Sequence, residues 1–168
     1  IDSVGDLTFI DEVASLDGVG PRHIAFLPDE KYAYAVNEQG DSATAYTVAN
    51  DGSLSSLQTT STLPAGVDGS SNNCADIHVT PDGEYVYASN RGHDSIAMYS
   101  VQTNGGLSFL GTVPTETTPR EFDISPAGDY LVVAGQGSGF LQSYTIGNDG
   151  ILTALTTGTG TGRLDVQG

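Results

Sequence analysis

Apolar and polar residues alternate in short runs along most of this chain. Ile77 and Val79 are separated by a polar position, and Tyr85, Val86, Tyr87 and Ala88 form a β-rich run after them. Alternation over such short stretches predicts strands, and no helical spacing of apolar residues competes with it. Between the two runs stands Pro81-Asp82-Gly83. Proline presets φ and glycine supplies positive φ, so the chain reverses there. Asn90-Arg91-Gly92-His93-Asp94 follows, a loop with more chemistry than a turn needs.

The pattern occurs three times, centred on Pro28, Pro81 and Pro126, with spacings of 53 and 45 residues. Several short strands per repeat at such a period predict the blades of an all-β propeller. Each repeat reads as four antiparallel strands. The first are Ile24–Leu27, Ile77–Thr80 and Phe122–Ser125; the second are Tyr32–Val36, Tyr85–Ser89 and Tyr130–Ala134. The third are Ala43–Val48, Ser95–Val101 and Leu141–Ile146; the fourth are Leu54–Thr59, Leu107–Val113 and Ile151–Thr156. Hairpin signals at Asn50-Asp51-Gly52, Asn104-Gly105-Gly106 and Asn148-Asp149-Gly150 join the last two strands of each. Residues 1–20 read as the outer strand of a preceding blade, over Gly5 to Ile10; the blades span 21–66, 67–118 and 119–168. Propellers close with about 4 to 8 blades. Three blades and an orphan strand are therefore part of a ring, and either a longer chain or a second chain completes it.

Antiparallel pairing sorts the polar residues onto two rims. The turn rim carries ordinary solvated residues such as Asp29, Asp82 and Asp129. On the opposite, loop rim, equivalent positions carry different side chains: Glu38, Arg91 and Gln136; His23, Asp76 and Glu121; Arg22, Ala75 and Arg120. Varied functional groups on one rim of a repeated scaffold suit a ligand site. His93 and Asn90 belong to the loop after the second strand. Asn37 and Asn90 either cap that turn or face a ligand. His78 either lines the central channel or lies between blades. The insertion Gly66–Asn73 emerges on the same rim, as a lid or as a tolerated loop.

Charge sharpens this picture. The 168 residues hold 21 acidic against 5 basic groups, a net charge of −16. A lysine-poor acidic chain with 38% hydrophobic residues is a folded one, suited either to concentrated salt, as in a halophile, or to an ordinary acidic surface. No basic stripe is available to neutralise nucleic-acid phosphates. Three of the four arginines, Arg22, Arg91 and Arg120, fall on the loop rim, where their forked guanidinium groups suit a carboxylate or phosphate. Cys74 is the single cysteine, so an internal disulfide is excluded; its position beside a first strand suggests a structural role. No phosphate loop, zinc-type spacing or serine elbow is present, and no cofactor or metal is expected. No apolar run is long enough to span a bilayer, and a cytoplasmic location is the expectation.

Gly20-Pro21-Arg22-His23-Ile24-Ala25-Phe26, Tyr34-Ala35-Val36-Asn37-Glu38 and the run from Ala75 through Ser89-Asn90-Arg91-Gly92-His93-Asp94-Ser95-Ile96 resemble the lactonase family of seven-bladed propellers. That family includes bacterial 6-phosphogluconolactonases and fungal carboxy-cis,cis-muconate cyclases. The resemblance implies a metal-independent site near the central channel and a small anionic lactone as substrate. In the cyclase branch it implies a catalytic histidine, two arginines and a glutamate. Arg22 and Glu38 match one arginine and the glutamate, and Arg91 matches the other arginine. The histidine is expected in a blade upstream of Ile1, so this chain alone is expected to be inactive. Substrate-binding roles are expected for His23, Asp76, His78, Asn90, His93, Arg120 and Gln136. A muconate-type lactonizing cyclase and a non-catalytic repeat scaffold are the alternative readings.

Overall fold

The computed structural model describes residues 5–155 and 164–165, and among these there are strands and turns but no helix. The first sheet contains β1 (Pro21–Phe26), β2 (Tyr32–Asn37), β3 (Ser42–Val48) and β4 (Leu54–Ser61). The second contains β5 (Asn73–Val79), β6 (Tyr85–Arg91), β7 (Ser95–Val101) and β8 (Leu107–Pro114). The third contains β9 (Pro119–Ile124), β10 (Tyr130–Gly135), β11 (Phe140–Ile146), β12 (Leu152–Ala154) and β13 (Leu164–Asp165). Each sheet is an antiparallel meander in chain order. The strands fall where alternation places them. The first strand of each blade, however, begins three or four residues earlier than its apolar run, reaching further onto the loop rim. In the third blade β12 and β13 pair with opposite ends of β11, so two short strands share its outer edge. Thr156, expected to end the last fourth strand, lies outside the described residues.

Residues 5–10 depart from the expected outer strand: they join none of the three sheets. An outer strand is held only by the ladder to its inner neighbour, and no described strand pairs with this segment. Leu7 and Phe9 are accordingly exposed. Further along, the arm is anchored. The Val19 carbonyl accepts from the Gln39 and Gly40 amides, and the Gly20 carbonyl accepts from Glu38 N–H at 2.7 Å.

The blades stack through two apolar layers. Tyr34 and Val36 of the first pack on Cys74, Ile77, Val86 and Tyr99 of the second. Tyr87, Ile96 and Met98 of the second pack on Phe122, Leu131, Val133 and Tyr144 of the third. Tyrosine hydroxyls tie each junction to main-chain carbonyls: Tyr34 to Gly105 O at 3.1 Å, Tyr99 to Ser61 O at 2.7 Å, Tyr87 to Gly150 O at 3.0 Å and Tyr144 to Pro114 O at 2.7 Å. A buried phenol needs an acceptor, and the bends of the neighbouring blade supply one. The inner strands β1, β5 and β9 lie side by side. The faces that would meet further blades leave Ile24 and Phe26 exposed at one end and Tyr130 and Val132 at the other.

Candidate active site on the loop rim

Every inner strand breaks its register just below the loop rim. In the first blade Pro21 faces Asn37 and His23 faces Val36, so Arg22 is the extra residue of a bulge. In the third, Pro119 faces Gly135 and Glu121 faces Ala134, so Arg120 is extra. In the second, Ala75 and Asp76 together stand opposite Ser89, whose hydroxyl accepts the Asp76 amide at 3.0 Å. A bulge bends its strand and re-aims the side chain it adds. It gathers Arg22, His23, Asp76, His78 and Glu121 around one open groove at the channel mouth.

Glu38 is the hub of the first cluster. Its amide is held by Gly20 and its carbonyl accepts the Cys74 amide of the next blade at 2.9 Å. Its carboxylate accepts from Arg91 Nη2, and its second oxygen lies 3.9 Å from Arg22 Nε. Arg91 Nη2 also donates to Cys74 O at 3.0 Å. The hydrogen bond from Arg91, aided by the charges of Arg91, Arg22 and Arg120, lowers the Glu38 pKa. Glu38 is thus ionised and weakly basic. It fixes two arginines and is poorly suited to removing a proton.

Asp76 is the hub of the second cluster. It is 2% exposed. Its Oδ1 accepts from His23 Nδ1 at 2.8 Å and Ile77 N at 2.9 Å, and its Oδ2 from His78 Nε2 at 3.1 Å and Phe122 N at 3.2 Å. Burial alone would raise this carboxyl, but the hydrogen bonds from His78 and His23 outweigh it and hold the pKa at about 2. The bond to Asp76 likewise raises His78 against the opposing effect of burial. His78 stacks edge-on against Phe122, with ring centroids 4.9 Å apart. Possible ligand atoms of Asp76, His78 and Glu121 lie within 4.8 Å of one another. All four acceptor positions of the Asp76 carboxylate are already filled, so the trio is a hydrogen-bonded cluster and not a vacant metal cage.

The remaining candidates do not converge on this groove. Asn90 is fully buried, bonding Thr62 O, Ser95 Oγ and Asn72. Asn37 does the same work in the first blade through Ser42 and Thr44. His93 bonds Ser95 Oγ at 2.7 Å and takes its place in the turn. Arg120 reaches Gln136 at 3.4 Å beside a hollow on the uncovered face of the third blade. Cys74 is buried, its thiol pushed up to about 12 by desolvation. The insertion loop is tied down by Asn72, which donates to Asp41 at 2.7 Å and accepts from His93 N. The sequence marks Asp76 as a ligand contact; its buried bridging role carries no local signal, because His23 and the Phe122 amide reach it from the two neighbouring blades, 53 and 46 residues away.

Residues 1–163 match the family model described as lactonase, 7-bladed beta-propeller. The chain is 40% identical over 115 residues to a 6-phosphogluconolactonase of Enterobacter sp. (strain 638), covering 67% of this chain and 34% of that protein. It is 38% identical over 126 residues to a 6-phosphogluconolactonase of Pectobacterium atrosepticum, covering 73% and 38%. Among solved structures, the periplasmic gluconolactonase PpgL of Pseudomonas aeruginosa superposes with a TM-score of 0.80 at 30% identity, over 91% of this chain and 43% of that one. The chain thus spans little more than a third of the length of the curated relatives it matches. With the blades, the bulged inner strands and these matches in agreement, the chain belongs to the lactonase family of seven-bladed β-propellers.

Proposed function

We propose that the loop rim of the first two blades contributes part of a site that hydrolyses an anionic sugar lactone, as the 6-phosphogluconolactonase names of its curated relatives suggest. The observation that carries this reading is the clustering of Arg22 and Arg91, from different blades, on one carboxylate beside the open groove. Two such guanidinium groups favour an anionic group and offset charge developing on a lactone carbonyl oxygen. Arg22, which lines the groove, is the direct partner; Arg91, held by Glu38 and Cys74 O, fixes the pair from behind. The full site takes in the remaining blades of the ring, and the cytoplasm is the compartment proposed.

The test is 6-phosphogluconolactone turnover by the protein at the full length of its relatives, corrected for spontaneous hydrolysis. Arg22→Ala should lower kcat/KM by about 100-fold or more. Unchanged turnover in that variant removes the arginine pair from the site. A substrate panel including muconate-type diacids separates hydrolase from cyclase, and inactivity on every substrate leaves the scaffold reading.

A further inference from the structure

The groove holds a second device that the arginine cluster does not use. Asp76 is ionised and accepts only, so both histidines must donate to it. His23 must therefore carry its proton on Nδ1, which leaves its Nε2 lone pair on the other side of the ring. His23 is partly exposed, whereas Asp76 is buried. The charged and titratable groups around them, among the described residues, are Arg22 on the same strand, Asp76 and His78 on β5, and Glu121 and Asp123 on β9, the last 3.9 Å from His78 Nδ1. His23 is contributed by the first blade and Asp76 by the second, so the pairing exists only once the blades stack.

We propose that His23 is the general base for lactone opening and that Asp76 is its positioning residue, an assignment that rests on the lactone reading above. His23 Nε2 takes a proton from water while the water oxygen bonds to the lactone carbonyl carbon, and the carbonyl π pair moves onto its oxygen beside Arg22. As this intermediate collapses, the ring C–O bond breaks. The departing ring oxygen takes the proton back from the His23 imidazolium. Lactone and water become one hydroxy acid, and His23 returns to neutrality. Asp76 fixes the tautomer that exposes Nε2 and stabilises the imidazolium between the two steps. Glu38, held ionised by two arginines, is left as their anchor.

The experiment is the pH profile of kcat and KM for 6-phosphogluconolactone in the full-length protein, with His23→Gln and Asp76→Asn. His23 lies partly at the surface, so its glutamine variant is expected to fold. His23→Gln should lower kcat by about 100-fold or more, keep KM within about threefold, and abolish the acid limb of the profile. Asp76→Asn should move that limb to lower pH, because the imidazolium loses its counter-charge. Imidazole nitrogen NMR of the wild type should give the Nδ1–H signature for His23 above the limb, whatever the substrate. Retained kcat in His23→Gln overturns the base assignment and leaves the lactone reading standing. An unmoved limb in Asp76→Asn, or an Nε2–H signature, overturns the role of Asp76. No hydrolysis by the wild type above the spontaneous rate overturns the lactone reading and this assignment together.

Discussion

The junction between the first and second blades and that between the second and third share their mechanical ties. Tyr34 and Tyr87 bond hairpin carbonyls of the following blade, and Tyr99 and Tyr144 bond carbonyls at the end of the preceding one. Above these ties the junctions part company. At the first, Glu38 joins Arg91 by side chain and Cys74 by backbone. At the second, the positions of Glu38 and Arg91 are taken by Arg91 and Gln136, and the position of Cys74 by Pro119, which has no N–H to give. The scaffold bonds end on main-chain carbonyls, so they survive changes of side chain in the accepting blade. The Glu38–Arg91 bond at the rim joins side chain to side chain, and one replacement removes it. A repeated fold can therefore keep its stability constant while confining chemistry to one junction.

The largest test of this contrast is catalytic. Arg91→Ala should lower kcat/KM for 6-phosphogluconolactone by about 10²–10³, whereas Gln136→Ala should leave it within about threefold; equal losses would show that both junctions carry chemistry. Next come the hairpin glycines. A Cβ on Gly105 would lie 2.1 Å from the Tyr32 ring and one on Gly150 2.2 Å from the Tyr85 ring, at φ values of 80° and 76°. Each glycine-to-alanine change combines a clash with left-handed strain and should lower unfolding free energy by about 3 kcal/mol in urea titrations. A harmless change at one junction alone would break the mechanical equivalence.

The third test is pH dependence at Asp76. Its folded pKa of about 2 lies below the ordinary value of 3.8, so the stabilisation is complete above pH 4 and lost as pH falls through 2. The contribution is about 2 kcal/mol by linkage, and Asp76→Asn should remove that acid-side slope from equilibrium unfolding. His78 works in the opposite sense: its raised pKa stabilises below 6.5, and that contribution fades as pH rises through the raised value. The smallest test compares Tyr34→Phe with Tyr87→Phe. Each removes one hydrogen bond to a carbonyl and should cost about 1 kcal/mol. A loss several times larger at one of them would show that the two junctions are not mechanically alike.

The sequence by itself determined the blades. Alternation, proline-centred turns and hairpin glycines are local signals, and a strand of this kind has few other ways to bury its apolar face. It also placed Arg22, Glu38 and Arg91 on one rim, because antiparallel pairing fixes which ends of strands coincide. The tertiary structure alone decided which of these groups meet. Arg22 is aimed by a bulge that its own strand does not signal, and Asp76 collects His23 and the Phe122 amide from flanking blades. Asn90 reads like Arg91 in sequence, yet alternation turns it inward, where its amide closes the turn. Residues 5–10 carry a strand pattern without forming a strand, since a ladder needs a partner as well as a propensity. Local periodicity specifies an element; contacts between residues some fifty positions apart exist only once neighbouring blades have stacked.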